Sequence, residues 1–413
     1  MILLLIIVFG FSYIIDLLFV FVVLIKSFFN NSDDVYSQLN LTVADNILSL
    51  LLIVLLPVFI FSSSKVKKIF AQPLKFSNSI LIILAACFLF APIITNRHPD
   101  FQKNISVTKL LPPLSSVDYV EMNEKSIKST NNNRLKSIID KVIPNSYNEN
   151  IIFIDSAIVG SDIKLYQSGV LIDIEKNNLM MLDNQPVIKS KLFIFGSDEY
   201  GRDVFTRIIY GSRVSLLVGF GAVLVSFILG LSFAFIAVER GGFVNLFLSR
   251  LTDLFLSFPA IFFVVLIIAL FGSNVISIIV VLGFSGWMSL FKVAKSEMLS
   301  IKNKEYYLSA KLVGLKNINL LMKEILPAIL VPVSVNLIFQ LSNVILAESA
   351  LSYLGLGTGM EYPSWGSMIE SGQKYITYSW WLIFIPGLTL VISLLSINEV
   401  GRDINKFFNP TIK

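Results

Sequence analysis

Residues 214–238 read VSLLVGFGAVLVSFILGLSFAFIAV, and no charged side chain interrupts this stretch. A helix rises about 1.5 Å per residue, so the stretch is long enough to cross the roughly 30 Å hydrocarbon core of a bilayer. Further apolar runs lie at 2–25, 46–62, 79–95, 254–272, 274–291, 327–350 and 381–398. The pattern predicts an all-α polytopic membrane protein with eight spans.

The composition of the whole chain agrees with this class and excludes several functions. Of the 413 residues, 55% are hydrophobic and 15% are charged, whereas soluble domains carry about 25% charged residues. The single histidine, His98, and the single cysteine, Cys87, exclude a disulfide framework, a Cys/His metal site and catalysis by several histidines. No G-x-x-x-x-G-K-[ST] motif occurs, which excludes a P-loop for ATP. In this class a net charge of +5 indicates cytoplasmic lysines rather than nucleic-acid binding.

Lysine-rich loops predict the orientation of the spans. Lysines crowd 63–78 and 292–326, so both loops are expected in the cytoplasm. Alternating spans then place both termini inside and 96–213 outside. Lys26 opposes this orientation for the first helix. That helix is expected to be retained, because it has no basic n-region and no A-x-A cleavage site follows it.

The polar stretch 96–191 differs in kind from the spans. Alternating apolar residues at 150–155 and 170–174 predict short strands, while 131–133 predict a loop. We expect a small extracytoplasmic insert that is partly β. A disordered linker is the alternative.

The basic loop between two of the spans has the pattern of a docking element. The residues from Glu305 to Val313 are good helix formers, Gly314 can end that helix, and Pro327 can open the next span. Ala310 and Gly314 lie four apart and share one face. This small-residue face can dock into another protein's groove, or the helix can lie on lipid headgroups with its lysines against anionic lipid.

Arginines follow helical spacing in the segment 195–213. Arg202, Arg207 and Arg213 alternate with apolar residues, which predicts an amphipathic segment on the outer surface. Gly201 and Gly211 permit tight turns or close backbone approach. Local ion pairs, rather than ligand binding, are expected of Arg202 and its neighbour Asp203.

Two acidic residues fall within predicted spans, where charge usually marks function. Asp16 and Glu348 are the candidates. Glu348 can face a pathway or snorkel to the interface, and we expect the second. Pro259 predicts a kink, and Gly355 to Gly359 predict a turn rather than a phosphate loop.

The basic loop resembles the "EAA" coupling loop of ABC importer permeases. Leu308-Ser309-Ala310 takes the place of the triplet, and Gly314 and Leu326-Pro327 follow at the family's spacing, although the initial Glu and first Ala of the triplet are absent. The resemblance implies that this loop contacts an ATPase through Glu305, Tyr306, Leu308, Ser309, Ala310, Gly314, Leu326 and Pro327.

Other stretches are similar to the C-type membrane subunit of dipeptide, oligopeptide and nickel importers. They are R-x-x-D-x-x-x-x-x-P at Arg250, Asp253 and Pro259, P-S-W-G at 363–366, and a looser ending at 401–403 and 409–410. The longest match is the G-S-D-x-x-G-R-D-V segment and its continuation, which includes Gly196, Asp198, Gly201, Arg202, Asp203, Arg207, Gly211 and Arg213. This segment would brace the chain against a partner permease and a binding protein, or would only stabilise the fold.

The resemblance implies a type I ABC importer permease bundle with six core spans. Residues 79–95 would be the first core span and 192–413 would hold the other five, with the coupling loop at 292–326. Residues 1–78 would add two N-terminal helices, which depart from the family pattern of a single leading helix.

The implied function is that of a transmembrane subunit in an ATP-driven importer in the inner membrane. The chain would form half of a pore with a second permease subunit, above two ATP-binding subunits and below an extracytoplasmic solute-binding protein. It would need no cofactor, no metal and no catalytic residue of its own. Di- and oligopeptides are the expected cargo, with nickel or glutathione as alternatives. A channel, a secondary transporter and an intramembrane enzyme are less favoured, because no inverted repeat and no catalytic pair occurs in a span.

Overall fold

The computed structural model describes residues 2–30, 41–62, 75–122, 138–139, 142–143, 150–159, 163–172, 174, 179–182, 185–312, 320–359 and 363–408. These residues form two compact units. The first comprises 1–74, 82–212 and 371–385, and the second comprises 75–81, 213–370 and 386–413.

Four helices begin the chain: α1 (Ile2–Phe9), α2 (Phe11–Asn30), α3 (Leu41–Ser62) and α4 (Phe76–Thr95). Within the first unit, polar bonds join three of them. The Tyr13 hydroxyl donates to Asn46 Oδ1 at 2.7 Å, and the Ser49 hydroxyl donates to the Leu89 carbonyl at 2.8 Å. Buried apolar residues, including Leu17 and Leu50, fill the space around these bonds. The N-terminal helices therefore pack on one another and on α4.

A small β region follows α4 in the first unit. After the short helix α5 (Ile105–Thr108), the antiparallel order β2-β1-β8 joins Ile151–Ile154, Ser115–Glu121 and Ile188–Phe193. A second antiparallel sheet has the order β3-β4-β5, from Ser156–Val159, Ile163–Gln167 and Val170–Ile172. A two-stranded ladder pairs β6 (Met181–Leu182) with β7 (Gln185–Pro186).

The predicted strands at 150–155 and 170–174 are confirmed as β2 and β5, and the linker alternative is wrong for the described residues. Strand β1 was not predicted, because its sequence SSVDYVE is polar at most positions. The predicted loop at 131–133 lies outside the described residues.

The remaining helices belong mostly to the second unit. They are α6 (Val204–Arg240), α7 (Gly242–Ser257), α8 (Ala260–Phe271), α9 (Val275–Lys302), α10 (Glu305–Leu312), α11 (Leu326–Tyr353), α12 (Trp365–Gln373) and α13 (Trp381–Phe408). Trp287 and Phe291 of α9 lie at the centre of the apolar core of this unit. Gly230 of α6 allows close approach, because a Cβ there would lie 2.9 Å from the Trp287 carbonyl. The spans therefore pack with backbones close together.

The sequence predicts eight spans, whereas within the described residues five helices are long and apolar enough to cross a membrane. A sixth span exists if α7 and the helix after it count as one, but they meet at 89°. The prediction of one continuous span at 254–272 is therefore wrong, although the break falls at Pro259 as its chemistry predicts. Proline has no N–H to donate and forces the preceding residue, Phe258, out of the helical region.

Candidate functional site

The first candidate region is the turn that leads into α6, and Asp198 organises it. Its carboxylate accepts hydrogen bonds from the backbone N–H groups of Tyr200 and Arg202, both at 2.9 Å. The same carboxylate pairs with Arg202 Nε at 2.7 Å. The local ion pair expected of Arg202 is present, and it closes the turn on itself.

A second arginine joins this carboxylate to the beginning of the β region. Arg207 approaches Asp100 at 2.8 Å and Asp198 at 3.6 Å, and Arg202 approaches Asp100 at 3.5 Å. Arg207 is only 5% exposed. The predicted amphipathic surface segment is therefore wrong, since 204–213 are the first turns of a long helix and Arg207 points into a buried ionic cluster. Asp100 lies in none of the motifs, so the sequence did not indicate its role as a partner of Arg207.

Two glycines of the motif are required by their surroundings. Gly196 has φ +78°, and a Cβ there would lie 2.9 Å from Trp381 Nε1 and against the Leu111 carbonyl. Gly201 has φ +75°, and a Cβ there would overlap the Thr108 side chain. Both positions combine a left-handed backbone with no room for a side chain.

The next motif residues start α6 and continue along it. The Asp203 carboxylate accepts hydrogen bonds from the Phe205 N–H at 3.2 Å and the Thr206 hydroxyl at 3.0 Å, as a helix-capping side chain does. Its ion pair is longer, with Arg97 at 3.8 Å. Gly211 is buried in the helix and Arg213 is partly buried.

Close to this turn lies a lysine that sequence reasoning missed. Lys191 of β8 is 5% exposed, and its ammonium group lies 4.4, 5.3 and 5.7 Å from the ring centres of Phe193, Phe101 and Phe153. Burial lowers the pKa of Lys191 to about 7, with a further contribution from the nearby Arg97 charge. Cation–π contact offsets part of the cost of burying the ammonium group.

Glu348 is the centre of a second candidate region, in the second unit. Its residue exposure is 0%, so the expectation that it snorkels to an interface is wrong. Hydroxyl groups from two helices donate to its carboxylate: Ser352 at 2.8 Å, Ser215 at 3.2 Å and Ser349 at 3.4 Å. A buried carboxylate persists only with such partners.

The P-S-W-G motif packs against this buried carboxylate. The Trp365 N–H lies 3.4 Å from the Ser215 hydroxyl, which itself donates to Glu348. Gly366 is pressed against α11, since a Cβ there would lie 2.6 Å from the Ser349 Cα. The structure therefore brings together three stretches that lie far apart in the sequence: the start of α6, the end of α11 and the P-S-W-G loop.

The third candidate region is the predicted coupling loop. Residues 292–302 are helical and continue α9, and the expected helix is confirmed as α10. A π-helical turn at Leu321–Ile325 leads directly into α11. Leu326 and Pro327 lie in the first turn of α11. Gly314 and the Tyr306 side chain lie outside the described residues.

The exposed face of α10 differs from the predicted small-residue face. Ala310 packs with the buried Tyr307 against the core of the second unit. Glu305, Leu308, Ser309 and Leu312 are exposed instead, and this set repeats at i, i+3, i+4 and i+7. Leu308 is 49% exposed and Leu312 is 89% exposed. Leu308 and Leu312 thus form an apolar pair on the exposed side of the helix, and we call this pair the α10 leucine face.

Sequence comparisons identify the family of this chain. A family model described as "Binding-protein-dependent transport system inner membrane component" matches residues 222–413. The dipeptide transport system permease protein DppC of Alkalihalophilus pseudofirmus is 32% identical over 219 residues, which cover 72% of that protein and 53% of this chain. The chain belongs to this family of permeases. The oligopeptide transport system permease protein OppC of Haemophilus influenzae is 33% identical over 236 residues, 76% of that protein and 57% of this permease.

A comparison with solved structures gives a weaker similarity. A chain of the MetNI methionine ABC transporter in an inward-facing conformation is 15% identical to this permease with a TM-score of 0.39, covering 97% of that chain and 48% of this one. Family membership and the apolar helices together make the permease a multi-pass transport component of the inner membrane. Glu348, the P-S-W-G loop and the α10 leucine face all lie within the residues that the family model matches.

Proposed function

We propose that the permease is the transmembrane subunit of an ATP-driven importer of di- and oligopeptides. The observation that carries this proposal is the pair of relatives named as dipeptide and oligopeptide permeases, each covered over more than two thirds of its length. The motif at 195–213 and the P-S-W-G loop are consistent with this proposal, because side chains of both stretches are buried in polar clusters and do not lie on the surface.

The α10 leucine face suits the docking of an ATPase subunit. Two leucines on one exposed stripe of a short helix can enter an apolar groove of a partner, as in helix-in-groove recognition. Two ATPase subunits would dock beneath this chain and a second permease subunit, with a solute-binding protein on the other side. Rigid-body rocking of the spans, driven by ATP binding in those partners, would open the pore to each side in turn. The permease itself would hydrolyse nothing.

This mechanism needs α10 in the cytoplasm, and the lysine-rich loops then predict that both termini lie inside and the β region lies outside. Reporter fusions after Lys68, Ser300 and Lys413 should then give cytoplasmic signals, and fusions near Asn132 and Gly372 should give external ones. A cytoplasmic signal from Asn132 would reverse the assignment, because each later loop depends on it.

Uptake by intact cells tests the cargo. Deleting the gene should abolish the uptake of labelled alanyl-alanine and leave the uptake of free alanine unchanged. Restoring the wild-type gene should restore dipeptide uptake. Loss of nickel or glutathione uptake, with normal dipeptide uptake, would refute the peptide assignment and favour an alternative cargo.

A further inference from the structure

Exposed apolar side chains cluster where strand β8 ends, in the first unit. Leu192 is 52% exposed on β8, Ile194 is 40% exposed just after the strand, and Leu114 is 72% exposed beside them. The Leu114 N–H donates to the carbonyl groups of Phe193 at 2.9 Å and Ile194 at 3.3 Å, which brings the three residues together. We call Leu114, Leu192 and Ile194 the β8-end patch.

The structure around the patch keeps these side chains exposed. Leu114 has φ +63°, a left-handed backbone that leucine rarely adopts, and the hydrogen bonds to the end of β8 hold it there. Two residues farther along the strands from Leu192 stand the paired Asp118 and Ser190, whose side chains are hydrogen-bonded to each other. A polar pair therefore bounds the patch on one side, and on the other side the patch adjoins the turn at Gly196.

That turn is fixed to the beginning of a membrane-spanning helix. A Cβ on Gly196 would lie 2.9 Å from Trp381 Nε1, and Trp381 is the first residue of α13, one of the helices among the described residues that are long and apolar enough to cross a membrane. The exposed Trp380 packs on Phe384 with ring centres 5.6 Å apart. Tryptophans at the end of a span typically lie at the level of the lipid headgroups. The turn at Gly196 therefore lies at a membrane–water interface.

The patch is close enough to this level to reach lipid. Ile194 precedes Gly196 by two residues, which is at most about 7 Å of chain. The headgroup layer on each side of the hydrocarbon core is about 5–8 Å thick, from a core of roughly 30 Å in a bilayer of roughly 40–45 Å. A partner protein in the aqueous phase could use any face of the sheet, whereas a bilayer can touch only the end beside the span. The position of the patch thus favours lipid as the partner.

We propose that the β8-end patch inserts into the headgroup layer of the bilayer. In the proposed orientation this is the outer leaflet. The patch residues are uncharged, so the contact is with the apolar part of the lipid surface and should not require anionic headgroups. This contact would hold the β region against the membrane. It requires that α13 spans the bilayer, and it does not depend on the cargo that the permease carries.

The test places a fluorescent nitrobenzoxadiazole label on the patch of the full-length permease in phosphatidylcholine nanodiscs. The label is attached to Leu192→Cys in a Cys87→Ala background, because Cys87 is the single native cysteine. Lipid with a nitroxide on its headgroup should quench this label, and iodide in the water should quench it only weakly. Adding Leu114→Ser and Ile194→Ser should lower the ratio of docked to undocked label, read from fluorescence lifetimes, about tenfold or more, because both changes remove apolar area from the contact. Phosphatidylglycerol should leave the ratio unchanged.

Two labelled positions serve as controls. Val170→Cys is the matched control, because Val170 is 67% exposed on β5 of the other sheet, and its label should be quenched by iodide and not by the nitroxide lipid. Phe384→Cys, at a residue 57% exposed within α13, should be quenched by a nitroxide deep in the acyl chains and shows that the assay detects lipid. Ile194→Cys repeats the measurement if thermal unfolding shows that Leu192→Cys is misfolded.

Two results would overturn the proposal. The first is equal quenching by iodide of the labels at Leu192 and Val170, with no effect of the headgroup nitroxide on either. The second is protection of the Leu192 label that appears only after the second permease subunit or the binding protein is added, which would assign the patch to a protein partner. Neither result would bear on the proposed function, because no step of the test involves transport.

Discussion

Replacing Glu348 tests whether its buried cluster holds the helices of the second unit together. Glu348→Ala removes the acceptor of the hydrogen bonds from Ser352 and Ser215, at 2.8 and 3.2 Å, and leaves both hydroxyls buried. Each such loss costs about 1–3 kcal/mol, so the two together cost about 2–6 kcal/mol. An unfolding entropy of about 2.1 cal/mol/K per residue makes 1 kcal/mol correspond to about 1 °C in melting temperature for 413 residues, which predicts a decrease of about 2–7 °C.

The assay is thermal unfolding of the purified permease in detergent, at a fixed heating rate. Glu348→Gln is the matched variant, because it keeps the side-chain volume and one carbonyl acceptor. Its melting temperature should fall by less than half of the decrease seen in Glu348→Ala. Ser352→Ala should destabilise more than Ser349→Ala, whose hydroxyl lies at 3.4 Å from the carboxylate. If Glu348→Ala melts together with the wild type, the cluster does not stabilise this unit and the reasoning fails.

The remaining predictions address the β region, the motif turn and the α10 leucine face. Lys191→Met should raise the melting temperature at pH 7 and make it less dependent on pH. In the folded wild type the pKa of Lys191 is about 7, below the ordinary value for lysine. The wild type should therefore gain stability as the pH rises from about 7 to 10. Gly201→Ala should destabilise by about 1–3 kcal/mol more than Gly169→Ala in thermal unfolding, because both have positive φ but only Gly201 is crowded. Leu312→Ser should weaken co-purification of the ATPase subunits about 30-fold, from about 2 kcal/mol of lost burial, and Leu299→Ser on α9 should not.

Each of these has an outcome that contradicts it. A Lys191→Met variant that melts lower than the wild type at neutral pH would mean that cation–π contact outweighs the cost of burial. Equal losses of stability in Gly201→Ala and Gly169→Ala would show that the Thr108 side chain moves aside at no cost in free energy. Undiminished co-purification of Leu312→Ser would remove the α10 leucine face from the docking surface, and would favour helix contact with lipid headgroups.

Features that depend on local chemistry could be predicted from the sequence. Apolar length marked the five long spans, and Pro259 marked the break between α7 and α8. The α10 helix followed from its good helix formers. These predictions succeed because the physical cause lies within a few residues of the effect.

Features that depend on residues far apart in the chain could not be predicted from the sequence. Glu348 was expected at an interface, because nothing near it in the sequence shows that Ser215 would supply a hydroxyl from another helix. Arg207 was expected on a surface, because helical spacing does not reveal that Asp100 would pair with it. The inward position of Ala310 likewise depends on Tyr307 filling the core. In each case a long-range contact decided which way the side chain points.

The most direct test of the central claim is peptide uptake by the reconstituted importer. The permease, the second permease subunit, two ATPase subunits and the binding protein are placed in proteoliposomes with labelled alanyl-alanine. The account predicts accumulation of the dipeptide only when this permease is present and ATP is supplied on the ATPase side. Accumulation without ATP, or equal accumulation when this permease is omitted, would contradict it.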